Sequence, residues 1–202
     1  MNEDWRDGFL FVGNHLALDF VNTRPVIGGD PVEFLTDGAA LARWLEASRL
    51  IGDGAGKPLA GVWSSRRLGA EVDSVVRFRE HFRQALLGME EGRVPGGAFL
   101  EEINRLLARY PRVTQVAKEG RHVKRWPRFA PQAPEDVFGV VADAVADVLT
   151  GPDWSKLRKC QSCVLHFLDT SKKGTRVWCS MRLCGNRAKV AAHARRRSQG
   201  LR

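Results

Sequence analysis

Cysteine is missing from the first 159 residues of this 202-residue chain; all four cysteines stand at 160, 163, 179 and 184. The body of the chain thus has no thiol nucleophile, and no disulfide can tie it together. Long apolar runs are missing as well. Charge interrupts each hydrophobic stretch within about ten residues, well short of the ~18–20 needed to cross a bilayer. The opening MNEDWRDGFLFVGNH carries acids where a secretory signal would carry cations, so the expected address is cytoplasmic, with no membrane partner. An enzyme needs a nucleophile–base pair or an open metal site. With no Gly-rich phosphate loop and no His-rich metal motif in the body, no catalytic residue is assigned and no enzyme is expected. Internal repeats and low-complexity tracts are also absent.

Acids are scarce in one place only. Residues 156–202 hold 13 Lys/Arg and a single acid, Asp169, whereas residues 1–155 hold 19 Lys/Arg and 22 Asp/Glu. The tail therefore carries +12 and the body −3. Such asymmetry suits a separate module that binds a polyanion. In a reducing compartment, cysteines confined to the same tail favour a metal over disulfides.

Hydrophobic residues at 44% are ordinary for a soluble globular chain, and helical periodicity dominates the body. Helices are expected over 13–23, 38–48 (capped by Thr36-Asp37), 66–91, 98–109 and 137–149. Residues 51–61 read as an irregular Gly-rich stretch. Strands are expected over 113–116 and 122–129 around a turn at 118–121. In the first helix His15, Asp19 and Asn22 follow at i, i+4 and i+7. They line a small-ligand pocket suited to an effector, or they bind backbone groups of a neighbouring loop. Arg121, His122, Lys124, Arg125 and Arg128 gather beside Trp126 on the hairpin, either extending a nucleic-acid surface or as a solvated hairpin.

The tail reads Cys160-x2-Cys163, fifteen residues, then Cys179-x4-Cys184. A C-x2-C pair forms a knuckle that points two thiolates at one ion. Strands at 164–168 and 175–178 around a polar turn return the chain so that Cys179 and Cys184 complete a tetrahedron. A closed four-sulfur site keeps no position for water, so its zinc is structural. It contributes on the order of 10 kcal/mol to folding. At 100° per residue, Arg182, Asn186, Lys189, His193, Arg196 and Arg197 fall in one stripe of the following helix. Cys184, Ala188 and Ala191 lie opposite, small enough to pack on the zinc hairpin. Arg, Asn, Lys and His are groups that contact phosphates and base edges.

Cys184-Gly185-Asn186-Arg187 resembles the hallmark of the CGNR zinc fingers, a match running over residues 154–197. The segment GNHLALDFVNT at 13–23, with Leu18-Asp19-Phe20 and Asn22-Thr23, is similar to the opening motif of the ABATE domain that precedes this finger in a bacterial family. That family is described as stress-induced transcription regulators, so the resemblance implies DNA binding by the finger. It also implies Cys160, Cys163, Cys179 and Cys184 as ligands of one Zn²⁺. Gly185 then serves close packing and Asn186 a cap or the support of a cysteine sulfur, while Arg187 falls toward the docking side of the helical wheel, a structural position instead of a DNA contact.

The expectation is a mainly α protein with a small β component. A helical ABATE-like regulatory domain over 1–151 is followed by a treble-clef-like four-cysteine finger, β-hairpin plus helix, over 154–202. RNA binding by the same surface stays open, as does a finger that docks an acidic protein partner. A small-molecule effector or a homodimer contact would act through the body.

Overall fold

The structure, a computed structural model, describes residues 4–48, 65–110, 113–128, 133–151 and 153–198; the Gly-rich stretch expected at 51–61 lies outside them. Two short ribbons, β1 (Trp5–Arg6) with β2 (Phe9–Leu10) and β3 (Val26–Ile27) with β4 (Asp30–Pro31), flank helix α1 (Leu16–Val21). Next come α2 (Gly38–Ala47), α3 (Ser65–Leu68), α4 (Val72–Glu90) and α5 (Gly97–Arg109). The ribbon β5 (Val113–Glu119) and β6 (His122–Arg128) precedes α6 (Val137–Thr150). The tail folds as β7 (Leu157–Lys159), β8 (His166–Leu168), a π-helical turn (Met181–Gly185) and α7 (Asn186–Ser198). The fold is mainly helical with small antiparallel strand pairs.

Helix α6 explains the centre of the molecule. Val137, Phe138, Val140, Val141, Ala142, Ala144, Val145 and Val148 are all buried, so apolar residues face nearly every direction. A helix hydrophobic all round has to be enclosed: α1 and α5 pack against it, and core side chains of α2 and α4 belong to the same cluster. Helix α4 is one-sided instead. Val75, Phe78, Phe82, Leu86 and Met89 recur at three- and four-residue steps and are buried, with polar residues outward.

A single helix over 66–91 does not form: it is cut between α3 and α4 at Gly69. Helix α2 begins at Gly38, capped by Asp37, whose Oδ1 accepts the Ala40 N–H at 2.8 Å. A Cβ on Gly38 would lie 1.9 Å from the Ser65 carbonyl oxygen and 2.5 Å from the Gly69 nitrogen. Backbone meets backbone there, and Gly69, a poor helix former, takes the bend. The β5–β6 strands run closer together than expected. Glu119 already pairs with His122, leaving a two-residue turn at Gly120-Arg121, with Gly120 at φ +60.

The tail differs from the expected hairpin in its partner strand. Strand β8 pairs with β7, which precedes the cysteines: Leu157 opposite Leu168, Arg158 opposite Phe167 and Lys159 opposite His166. Residues 175–178 form no strand. They return alongside the knuckle, where the Gln161 N–H bonds the Val177 carbonyl at 3.0 Å. Residues 169–174 are held by Asp169, which accepts the Ser171 and Arg176 N–H groups, both at 2.9 Å. A buried carboxylate thus organises the turn that a second strand was expected to organise.

Candidate metal centre and nucleic-acid surface

The knuckle sits in the bend between β7 and β8, where the Cys160 N–H bonds the Leu165 carbonyl at 2.9 Å. Cys179 precedes the π-helical turn and Cys184 lies within it. Ser180 caps that turn: its Oγ accepts the Arg182 N–H at 3.1 Å and the Leu183 N–H at 3.3 Å. The four Sγ atoms all lie within 4.8 Å of one another, and they are the metal-competent cluster among the described residues. Sγ of Cys179 is 3.7 Å from Sγ of both Cys163 and Cys184. Sulfurs at ~2.3 Å from a tetrahedral zinc stand about 3.8 Å apart, so the cluster fits one structural Zn²⁺. All four cysteines are free thiols.

Without a cation the thiols share protons unequally. S–H bonds donated by Cys163 and Cys179 pull the Cys160 thiol far below its usual range. Bonding to Cys160 pushes the Cys163 and Cys179 thiols up. Metal uptake must displace those protons, so zinc binding weakens as pH falls.

Two arginines support the sulfurs. Arg187 Nη2 lies 3.3 Å from Cys184 Sγ and 3.1 Å from the Ser162 carbonyl, joining the two halves of the site. Arg176 lies over the Phe167 ring at 4.5 Å and donates to the Trp178 carbonyl at 2.8 Å. It also donates to the Cys179 carbonyl. Asn186 is exposed, and its backbone N–H bonds the carbonyls of Met181 and Leu183. A Cβ on Gly185 would come 2.7 Å from Met181 Sδ. That thioether is the end of an exposed side chain, so this glycine's packing role is a soft one.

The finger's core is not its own. Leu10 and Val12 from the N-terminal region pack with Leu165, Phe167, Cys160, Cys179 and Cys184, and Ser180 donates to Asp4 Oδ2 at 2.7 Å. The segment 13–23 closes the rest of the contact. Asn22 donates from Nδ2 to the His166 carbonyl and accepts the His166 N–H at Oδ1, both at 2.9 Å. Asn14, in the left-handed region at φ 56, donates to the Leu168 carbonyl at 2.9 Å. The Leu168 N–H reaches the Gly13 carbonyl at 2.8 Å. His166 Nδ1 meets Glu90 Oε1 at 2.8 Å, and His166 is not part of the sulfur cluster.

Of His15, Asp19 and Asn22, only Asp19 lies inside α1, which is six residues long. His15 is its N-cap, with Nδ1 accepting the Ala17 N–H at 3.3 Å; burial lowers its pKa and Asp147 partly restores it. Asn22 is the C-cap. Asp19 is buried and accepts the Gly13 N–H at 2.8 Å; desolvation pushes its carboxyl up to about 7. Gly13 has no room for a side chain, since a Cβ would sit 2.9 Å from the Asp19 nitrogen and 2.7 Å from Leu18 Cβ. Thr23, next in the segment, accepts from Arg79 Nη1 at 2.9 Å. Fully buried Arg79 is held by both Glu33 oxygens at 2.7 and 2.5 Å. Sequence reasoning missed Gly13, Asn14, Glu90, Leu10 and Val12. No spacing rule links them to a tail more than 70 residues on.

Helix α7 buries none of its residues. Ala191 is exposed instead of packing on the finger, and only Ala188 and Ala192 are half-buried. The π-helical turn causes the shift: its wider winding breaks the 100° step between Arg182 and the helix proper. Lys189, His193, Arg196 and Arg197 lie on one open stretch of the helix surface with Val190 and Ala194. Arg182 and Asn186 are exposed as well.

Two family models match the chain. The family described as "Putative stress-induced transcription regulator", ABATE, matches residues 14–152, and the CGNR zinc finger matches residues 156–197. No curated protein matches the chain significantly. Both matched families are of regulator and zinc-finger type, and no helix among the described residues is long and apolar enough to cross a membrane. With its segment 13–23 clasping a four-cysteine finger, the chain belongs to the ABATE family of regulators and carries a CGNR zinc finger.

Proposed function

We propose that this protein is a transcription regulator that binds duplex DNA through α7. The carrying observation is a helix with no buried residue and no acid, fixed by one end to a closed four-sulfur site. A helix that leaves nearly all of its side chains exposed is held for something other than the fold. Its cations suit the phosphate backbone, and a helix fits the major groove. In this reading Lys189, Arg196 and Arg197 contact phosphate, and Arg182, Asn186 and His193 read base edges. Residues 154–202 are the reader and 1–151 the regulatory unit, located in the cytoplasm. An effector or dimer contact on that unit would reach the finger through α1, whose Asn22 grips His166. His15, Asp19 and Asn22 serve that grip.

The test is equilibrium binding of zinc-loaded protein to labelled duplex DNA, single-stranded DNA and RNA over a range of salt. The expected result is preference for the duplex, with a slope corresponding to about four phosphates at ~0.9 per contact. Weak, equal binding to all three would overturn the reading.

A further inference from the structure

We infer that the β5–β6 ribbon is a second duplex-DNA contact, centred on Lys118 and Arg121 at its tip; the inference rests on the DNA-binding reading above. Residues 113–128 contain Lys118, Arg121, Lys124, Arg125 and Arg128 against a single acid, Glu119, a net of +4. Residues 1–155 carry −3 altogether, so the rest of that region carries −7. Positive charge is thus concentrated on one element of an otherwise acidic body.

The geometry suits an element that reaches outward. Seven residue pairs, from Val113 with Arg128 to Glu119 with His122, make a ribbon roughly 23 Å long at ~3.3 Å per residue. Among the described residues no third strand joins it. Lys118, Arg121 and His122 are exposed at the tip.

Charge alone would also fit a solvated hairpin, but two valines argue otherwise. Val116 and Val123 are each 74% exposed. Val123 pairs with Lys118, and Val116 is two residues before Lys118, so all three share one face. A ribbon kept for solubility gains nothing from a bare valine pair beside a cation. Duplex DNA takes both chemistries: phosphates bind the cations, while sugars and thymine methyls accept apolar side chains. The major groove, about 12 Å wide, admits a two-stranded ribbon. Two contacts on one chain also reinforce each other, since the second engages at high effective concentration.

Zinc-loaded full-length protein separates this inference from the reading beneath it. Wild type, Lys118→Ala/Arg121→Ala, Val116→Ser/Val123→Ser and Lys189→Ala/Arg196→Ala/Arg197→Ala would each be titrated into duplex DNA at several salt concentrations and footprinted. Loss of two phosphate contacts lowers the salt slope by about 1.8, at ~0.9 each, with affinity falling about tenfold at moderate salt. The valine variant weakens binding with the slope unchanged. In the Lys118/Arg121 variant one protected segment disappears while another, lost in the α7 variant, persists. All substituted positions except those of α7 are exposed ribbon residues, and an unchanged thermal midpoint confirms that the ribbon variants fold. If wild type binds duplex and the ribbon variants match it in affinity, slope and footprint, the ribbon inference falls and the α7 reading stands. Absence of duplex binding by wild type overturns both.

Discussion

Asn22 closes a donor and an acceptor of one backbone residue, His166, 144 positions away. Truncation to alanine leaves both groups buried without a partner, at about 1–3 kcal/mol each. Asn22→Ala should therefore lower the thermal midpoint of the zinc-loaded protein by several degrees; an unchanged midpoint would show that water replaces the amide. Asp19 carries the pH prediction. Its folded pKa of about 7 lies above the ordinary value of 3.8, so the fold binds more protons than the unfolded chain between those values. Stability is then full below about pH 4 and is lost as pH rises through 7. Each pKa unit corresponds to about 1.4 kcal/mol, so Asp19's contribution to the unfolding free energy, read as wild type against Asp19→Asn in urea titrations, should fall by a few kcal/mol over that window. Asp19→Asn, which keeps an oxygen for the Gly13 N–H, should remove this slope. Parallel profiles for the two proteins would count against it.

The finger's elements respond to two kinds of change. Arg187 binds Cys184 Sγ and Ser162 across the site, and removal of such supporting contacts typically costs about 10–100-fold in metal affinity. Arg187→Ala should show a loss of that size in competition with a chelator while the helical circular dichroism of the body persists. The cations further along α7 are the opposite case, since Lys189, Arg196 and Arg197 are all exposed. Lys189→Ala/Arg196→Ala/Arg197→Ala should leave zinc affinity intact and flatten the salt dependence of DNA binding by about 2.7, at ~0.9 per phosphate. A changed zinc affinity would instead assign these residues to the metal site. The π-helical turn explains why the helical wheel misjudged this element. The cationic composition was legible, but the wheel assumed one continuous winding through Cys184, and the cap at Ser180 imposes another.

At the scale of the whole molecule, finger and body share walls. Leu10 and Val12 line the cysteine cluster, while Leu157 and Leu168 reach into the main core. Residues 154–202 expressed alone lack part of their core. They should bind zinc more weakly than the intact chain and show poorly dispersed amide spectra. Chelation of zinc from the full protein should also lower the melting temperature of the body, because α1 loses the partners of Asn14 and Asn22. Two calorimetric transitions, with the body's unmoved by chelator, would mean that the shared walls carry little energy.

The sequence by itself determined the metal and the helical body. Thiolate spacing within 25 residues is a local constraint, and so is helical periodicity within a single element; α2, α5 and α6 lie close to where their patterns place them. Particular residues mark where that reasoning stopped. His15, Asp19 and Asn22 were legible as polar residues near an apolar helix, yet their partners Gly13 and His166 were not. Strand β8 chose β7 over residues 175–178 because Asp169 ties down the intervening turn. The helix at 66–91 broke because Gly38 lets α2 press backbone against backbone at Ser65. In each case a buried polar group had to find a partner, or two backbones had to pass within contact distance. Those conditions exist only once distant segments are brought together, so only the tertiary structure decided them.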